Sequence, residues 1–184
     1  MNKLALIATG ALLAGALSTS GCSNDPTRGY TLNSQYPDDV KTIHVPIWHR
    51  GKGVYRRGLE MRLTEALVKR VQQDTPYKVT GKSRAETELR GTIDNVSQRV
   101  LSFNPDTGRP REKEITLTVS FAWTHLGSGK VLKRQKNFRQ SGTYIPPEPL
   151  GEAPEPLGED FFQGSEDVIN RLARRIVEQM AEEW

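Results

Sequence analysis

The 184-residue sequence predicts one α+β domain, in which two helices pack on one face of a mixed four-stranded sheet. Apolar side chains recur at every second position in four segments, which is the period of a half-buried strand. In two other segments they recur at the spacing of an amphipathic helix. These segments follow one another in the order strand, helix, strand, strand, strand, helix.

The first predicted strand covers residues 40–47, where apolar and polar side chains alternate. A glycine-rich basic loop follows at residues 48–55, and residues 57–72 then show helical spacing. Pro76 predicts the end of this helix, because proline disfavours a helical residue before it. Residues 77–80 form a short extended segment. Since a strand–helix–strand unit is normally a crossover, the first two strands should be parallel.

Three further strands are predicted, each joined to the next by a short turn. The apolar positions of the first change parity near Asp94, which indicates a β-bulge. Turn-forming residues at 104–108 and 127–130 predict two antiparallel hairpins. The predicted strands are residues 89–100, 115–124 and 131–138.

The C-terminal part combines a proline-rich loop with the second helix. The hexapeptide Pro-Glu-Pro-Leu-Gly-Glu occurs twice within residues 146–160, a segment too rich in proline for a helix or a central strand. Residues 161–184 predict a helix. Its predicted buried stripe consists of Ser165, Val168, Ile169, Leu172, Ile176 and Met180.

The N-terminal residues indicate export. Residues 1–21 have a basic start and a short apolar run, as in a cleaved signal peptide. Cys22, the single cysteine of the chain, ends that run and resembles the acylated cysteine of a bacterial lipoprotein box. Multiple acyl chains would anchor the protein to a membrane, and Ser23 implies outer-membrane sorting. The alternative is an ordinary signal peptide followed by an incidental cysteine.

This interpretation divides the chain into a signal peptide, a lipidated tether at residues 22–39 and one domain at residues 40–184. Charge is unevenly distributed along that domain. Residues 40–139 contain 21 Lys and Arg against 9 Asp and Glu, whereas residues 140–184 contain 3 against 10. A basic surface attracts anionic partners. Because export argues against nucleic acid, phosphate-bearing lipid is the leading expected partner, and an ordinary solvated surface is the alternative.

Signatures of catalysis are missing from the sequence. His44 and His49 are five residues apart, which would place them on opposite faces of a strand and argues against a shared metal site. His125 stands alone, and the sequence contains neither a nucleophile-elbow motif nor a phosphate-binding glycine-rich loop with its lysine. We therefore expect a binding protein, not an enzyme, with no cofactor and no metal.

A series of short segments resembles the LptE-type lipopolysaccharide-assembly lipoproteins. After the lipoprotein cysteine come Gly29-Tyr30-Thr31-Leu32, the strand at residues 40–46 and the helix at residues 59–67. The resemblance continues through residues 89–93, 117–119 and 129–132. It implies the same two-helix, four-stranded fold. It also implies a protein that sits in the lumen of an outer-membrane β-barrel translocon, assists its folding and binds lipopolysaccharide.

Two groups of cations are candidates for lipopolysaccharide binding, because arginine and lysine suit phosphate groups. One group lies at the turn between the second and third strands and comprises Arg99, Arg109, Arg111 and Lys113. The other lies on the last strand and comprises Lys133, Arg134 and Lys136. Cations on an edge strand also protect it from aggregation, which is the structural alternative for the second group. A generic envelope scaffold for protein or peptidoglycan is the alternative function.

Overall fold

A computed structural model describes residues 35–147 and 160–181 of the chain. The predicted signal peptide, Cys22, most of the tether and most of the Pro/Glu-rich loop lie outside the described residues. All the elements below belong to one compact unit, Ser34–Trp184.

Six strands, two α-helices and one 3-10 turn occur in the described part of the chain. In chain order they are β1 (Thr42–His44), β2 (His49–Arg50), α1 (Leu59–Asp74), β3 (Lys78–Val79), the 3-10 turn (Lys82–Arg84), β4 (Thr87–Phe103), β5 (Pro110–His125), β6 (Val131–Tyr144) and α2 (Phe161–Glu178).

The sheet is mixed, with the order β3-β1-β4-β5-β6, and β2 also pairs with β4. Strand β1 runs parallel to β3 and β4, while β4, β5 and β6 form antiparallel pairs. These features confirm the α+β class and the mixed sheet. The predicted number of four strands is wrong. The two additional strands, β2 and β3, have only two residues each, so neither shows a period in sequence.

Element boundaries differ from prediction at the C-terminal side of the domain. Strand β6 continues to Tyr144 instead of ending at residue 138, because residues 139–144 pair with β5 although they do not alternate apolar and polar side chains. Helix α2 ends at Glu178, with Gln179 as its C-cap. The bulge predicted near Asp94 is confirmed, since the β4–β5 register shifts between Ile93 and Asn95.

Both helices and one face of the sheet contribute to a single core. The five apolar residues of that face on β5 are 0–3% exposed: Ile115, Leu117, Val119, Phe121 and Trp123. Trp48 packs against Gly91 of β4, where a Cβ atom would lie 2.5–2.7 Å from the indole ring. The predicted stripe of α2 is buried as expected. The two faces of the sheet therefore differ: the helices cover one, and the other is polar.

Helix α2 begins with a capping box. Asp160 accepts from the backbone N–H of Gln163 at 2.7 Å, and the Gln163 side chain accepts from the Asp160 backbone N–H at 3.3 Å. Helix α1 has no side-chain cap; it starts after Gly58, which adopts a left-handed conformation with φ 91°. The predicted stop at Pro76 is confirmed, since α1 ends at Asp74.

Candidate functional site

The fold separates the seven candidate cations into two groups at opposite ends of β5. Lys113 lies near the start of that strand, and Ala122, which pairs with Arg134, lies near its end. At ~3.3 Å per residue this separation is roughly 30 Å. One small anionic group therefore cannot contact both groups at once.

The first group lies at the tip of the β4–β5 hairpin, defined here as residues 99–113. Asn104 builds the turn: its backbone N–H donates to Arg109 O at 2.7 Å, and its side-chain oxygen accepts from Asp106 N at 2.9 Å. Gly108 completes the turn at φ 67°, a conformation that favours glycine. The predicted turn at residues 104–108 is thus confirmed, and it displays the flanking side chains at one end of the domain.

The cations of the hairpin tip are not equivalent. Arg99 donates to the Glu114 carboxylate at 3.0 Å, so its charge is already matched. Arg111 is exposed and Lys113 half-buried, and among the described residues neither side chain has an ion-pair partner. Arg109 also has an interaction partner. The best-placed cation of this group is therefore Arg111.

Exposed apolar side chains accompany these cations. Leu101 and Phe103, which belong to the hairpin tip, are 41% and 61% exposed. The loop before α1 contacts β4 next to the hairpin tip, because the Arg56 guanidinium donates to Gln98 Oε1 at 3.5 Å. Its neighbour Tyr55 is 89% exposed. Leu101, Phe103 and Tyr55 were not among the predicted site residues, although an aromatic residue near arginines in a turn is a usable signal in the sequence.

The second group does not form a single cluster. Residues paired directly across an antiparallel sheet share a face, so Arg134 lies on the polar face with Ala122, while Lys133 lies on the helix-covered face with Trp123. Lys136 lies in a bulge of β6 on the polar side. β6 is an edge strand, so these residues also have the positions that protect an edge.

A shallow concavity of ≈ 240 Å³ opens beside Arg134 and Lys136. Arg90 of β4 lines its other side, and Thr92, Ser120 and Ala122 also line it. Arg90 was not a predicted site residue, because only the pairing of β5 with both β4 and β6 brings it near the last strand.

The described residues contain no group of three His, Cys, Asp or Glu side chains able to hold a metal ion. His44 Nδ1 lies 3.2 Å from the Thr80 carbonyl oxygen, which gives this imidazole a structural contact.

Within residues 35–147 and 160–181, no helix has the length and hydrophobicity needed to cross a membrane.

Comparison with solved structures shows the same type of fold. The chain is similar to a hypothetical protein of Chlamydia trachomatis, with a TM-score of 0.53 and 9% identity over 76% of this chain and 94% of that chain. It is also similar to the rare lipoprotein B of Shewanella oneidensis, with a TM-score of 0.44 and 19% identity over 76% and 93% of the two chains. A comparison with curated protein sequences found no match.

The family model for lipopolysaccharide assembly, LptE, matches residues 40–183. This match covers both helices and all strands described above, and it confirms the resemblance carried by the short segments of the sequence. The chain belongs to the LptE family of lipopolysaccharide-assembly proteins.

Proposed function

We propose that this protein is an outer-membrane lipoprotein that binds lipopolysaccharide on its way to the outer leaflet and plugs a β-barrel translocon, whose assembly it assists. Three observations support the proposal. The family match covers the domain, Cys22 follows an apolar run of the signal-peptide type, and the hairpin tip presents cations beside exposed apolar side chains. The proposed role is binding, with no bond made or broken.

The composition of the hairpin tip is the observation that carries the proposal. Residues 99–113 include four cations and two acids, and one of these cations, Arg99, pairs with Glu114 just outside the tip, so net charge alone would attract an anion only weakly. Phe103 and Leu101, however, expose apolar surface at the same hairpin tip as Arg111. A phosphorylated glycolipid presents both phosphate groups and acyl chains, and this tip offers a counterpart for each.

A membrane anchor would place this tip near its ligand. Acylation of Cys22 would hold the domain at the membrane surface, and the intervening residues 23–39 would allow it to reach a barrel lumen. The lumen of a wide barrel is aqueous unless something fills it. A folded domain with a polar sheet face can fill such a space while its tip contacts lipid.

Charge reversal at the tip tests the proposed contact. We expect the double change Arg109→Glu and Arg111→Glu to weaken binding of lipopolysaccharide to the full chain by tenfold or more, since each change replaces attraction by repulsion. Binding is measured by titration with purified lipopolysaccharide in mild detergent.

Lys130→Glu is the matched control, because Lys130 is exposed in the turn at the far end of β5. Its affinity should stay within about twofold of the parent protein. Thermal unfolding must show that both variants remain folded. Equal affinities for the tip variant and the parent would show that this tip does not bind the lipid.

A further inference from the structure

We propose that the polar face of the sheet holds a second binding site, a phosphate-binding cleft between Arg90 and Arg134. This site is separate from the hairpin tip and does not depend on lipopolysaccharide binding there. Its ligand is a phosphate group, which is carried either by a lipid headgroup or by a free phosphate compound.

The strand register places the two arginines on either side of a small residue. Arg90 of β4 pairs with Ala122 of β5, and Ala122 pairs with Arg134 of β6. All three therefore lie in one row on one face. With strands ~4.8 Å apart, the two arginine Cα atoms are roughly 10 Å apart. The methyl group of Ala122 leaves the space between them open, which gives the ≈ 240 Å³ concavity.

A bulge in β6 adds a third cation. The β5–β6 register shifts between Val119 and Phe121, and Asn137 adopts φ 53° there. The Asn137 backbone N–H donates to Ser120 Oγ at 3.4 Å, which ties the bulge to the neighbouring strand. Bulges redirect side chains, and Lys136, next to this bulge, lines the concavity.

The charges around the cleft leave it positive. Arg90 pairs with Glu88, which is only 3% exposed and also lies 3.6 Å from Lys82 Nζ. A guanidinium has five N–H donors, so Arg90 keeps donors for a ligand. Arg134 and Lys136 have no side-chain partner within the described ranges. One carboxylate opposes them: Asp94 accepts from Ser120 Oγ at 2.6 Å, at the margin of the cleft.

Edge protection does not explain this arrangement completely. It accounts for cations on β6, but Arg90 lies on β4, an interior strand that pairs with β5 on one side and with β1 and β2 on the other. Two arginines and a lysine that line one open concavity offer N–H donors to the tetrahedral oxygens of a phosphate group. We therefore assign the cleft to phosphate.

The test measures binding of inorganic phosphate to the full chain in mild detergent, and binding of vesicles to the full chain after the detergent has been diluted below its critical micelle concentration. The phosphate affinity is obtained from ³¹P NMR titration at pH about 7.5, where phosphate is mainly a dianion. Vesicles are phosphatidylcholine with and without phosphatidic acid. The double change Arg134→Gln and Lys136→Gln should weaken binding by tenfold or more, and Asp94→Asn should strengthen it about threefold.

The matched control is the double change Lys52→Gln and Lys130→Gln, which removes two exposed cations that do not line the cleft. It should bind phosphate within twofold of the parent protein. If the cleft variant loses binding of both inorganic phosphate and vesicles, the site recognises the phosphate group itself. Loss of vesicle binding alone, without measurable binding of free phosphate, shows a headgroup site.

The proposal is wrong if the cleft variant binds both ligands as the control does, or if the parent protein binds neither. Thermal unfolding excludes misfolding as the cause of any loss. The tip variant Arg109→Glu with Arg111→Glu should keep its phosphate affinity. The two proposals, lipopolysaccharide binding at the tip and phosphate binding in the cleft, can therefore be refuted independently of each other.

Discussion

Glu86 joins the first strand to the segment that precedes β4. Its Oε2 atom accepts from the backbone N–H groups of Lys41 at 2.7 Å and Thr42 at 3.1 Å. In return, the Glu86 backbone N–H donates to Thr42 Oγ1 at 3.0 Å. The two backbone donors favour the ionised carboxylate and hold the pKa of Glu86 below its ordinary value of 4.5.

This contact predicts a pH-dependent contribution to stability. A carboxyl group with a lowered pKa stabilises the folded state fully above its ordinary pKa, and that stability is lost as the pH falls through the lowered pKa. Glu86→Gln should therefore lower the unfolding temperature at about pH 7, and the difference from the parent protein should shrink below about pH 4.5.

The measurement is thermal unfolding between about pH 2.5 and 7. Glu65→Gln provides the control, because Glu65 is exposed on α1 and takes part in no described ion pair. A difference between parent and Glu86→Gln that stays constant across this range would contradict the role assigned to the ionised carboxylate.

For single side chains, the sequence predicts exposure but not the partners that the fold brings together. Alternation along β4 predicts that Arg99 is exposed, but not that Glu114 neutralises it, because the two residues meet only through the β4–β5 register. For the same reason the sequence does not predict a binding role for Arg90, whose neighbours in space come from β5 and β6. The lipidation of Cys22 stays a prediction.

The packing of α2 on β6 depends on two glycines. A Cβ atom at Gly164 would lie 2.5 Å from the Cβ and Cγ atoms of Tyr144, and one at Gly142 would lie 2.7 Å from Val168 Cγ2. Tyr144 cannot move freely, since its hydroxyl accepts from Gln98 Nε2 at 3.0 Å. The helix therefore approaches the strand more closely than side chains with a Cβ would allow.

Gly164→Ala should destabilise the domain although it improves helix propensity. Propensity alone would stabilise a helix by about 1 kcal/mol, but overpacking against Tyr144 should outweigh this gain and leave a net loss of roughly 1–3 kcal/mol. Chemical denaturation gives the free energy of unfolding. Gly81→Ala is the control, because no atom lies within 4 Å of its added Cβ and its φ is −68°. A more stable Gly164→Ala variant would refute the close packing.

Elements with a long and regular period could be predicted from sequence, and short ones could not. Strand β5, helix α1 and the buried stripe of α2 follow their predicted patterns closely. The bulge in β4 was also predictable, because it shifts the parity of the apolar residues. Strands β2 and β3 depend on backbone pairing between segments distant in sequence, so no local pattern marks them.

Across the domain, topology was easier to predict than function. The parallel pairing of β1 with β4 and the two antiparallel hairpins follow from turn lengths and element order. Charge counts predict a basic surface, but the fold distributes its cations between the hairpin tip, the polar sheet face and the helix-covered face. Charge along the sequence could not show this division.

Photocross-linking in the native envelope tests most directly whether the hairpin tip binds lipopolysaccharide. A photoreactive phenylalanine derivative replaces Phe103, which is exposed at the tip, or Lys130, which lies at the opposite end of β5. Lipopolysaccharide adducts are then detected by immunoblotting. We predict adducts from position 103 and few or none from position 130. Equal labelling at both positions, or no lipopolysaccharide adduct at position 103, would contradict the proposed function.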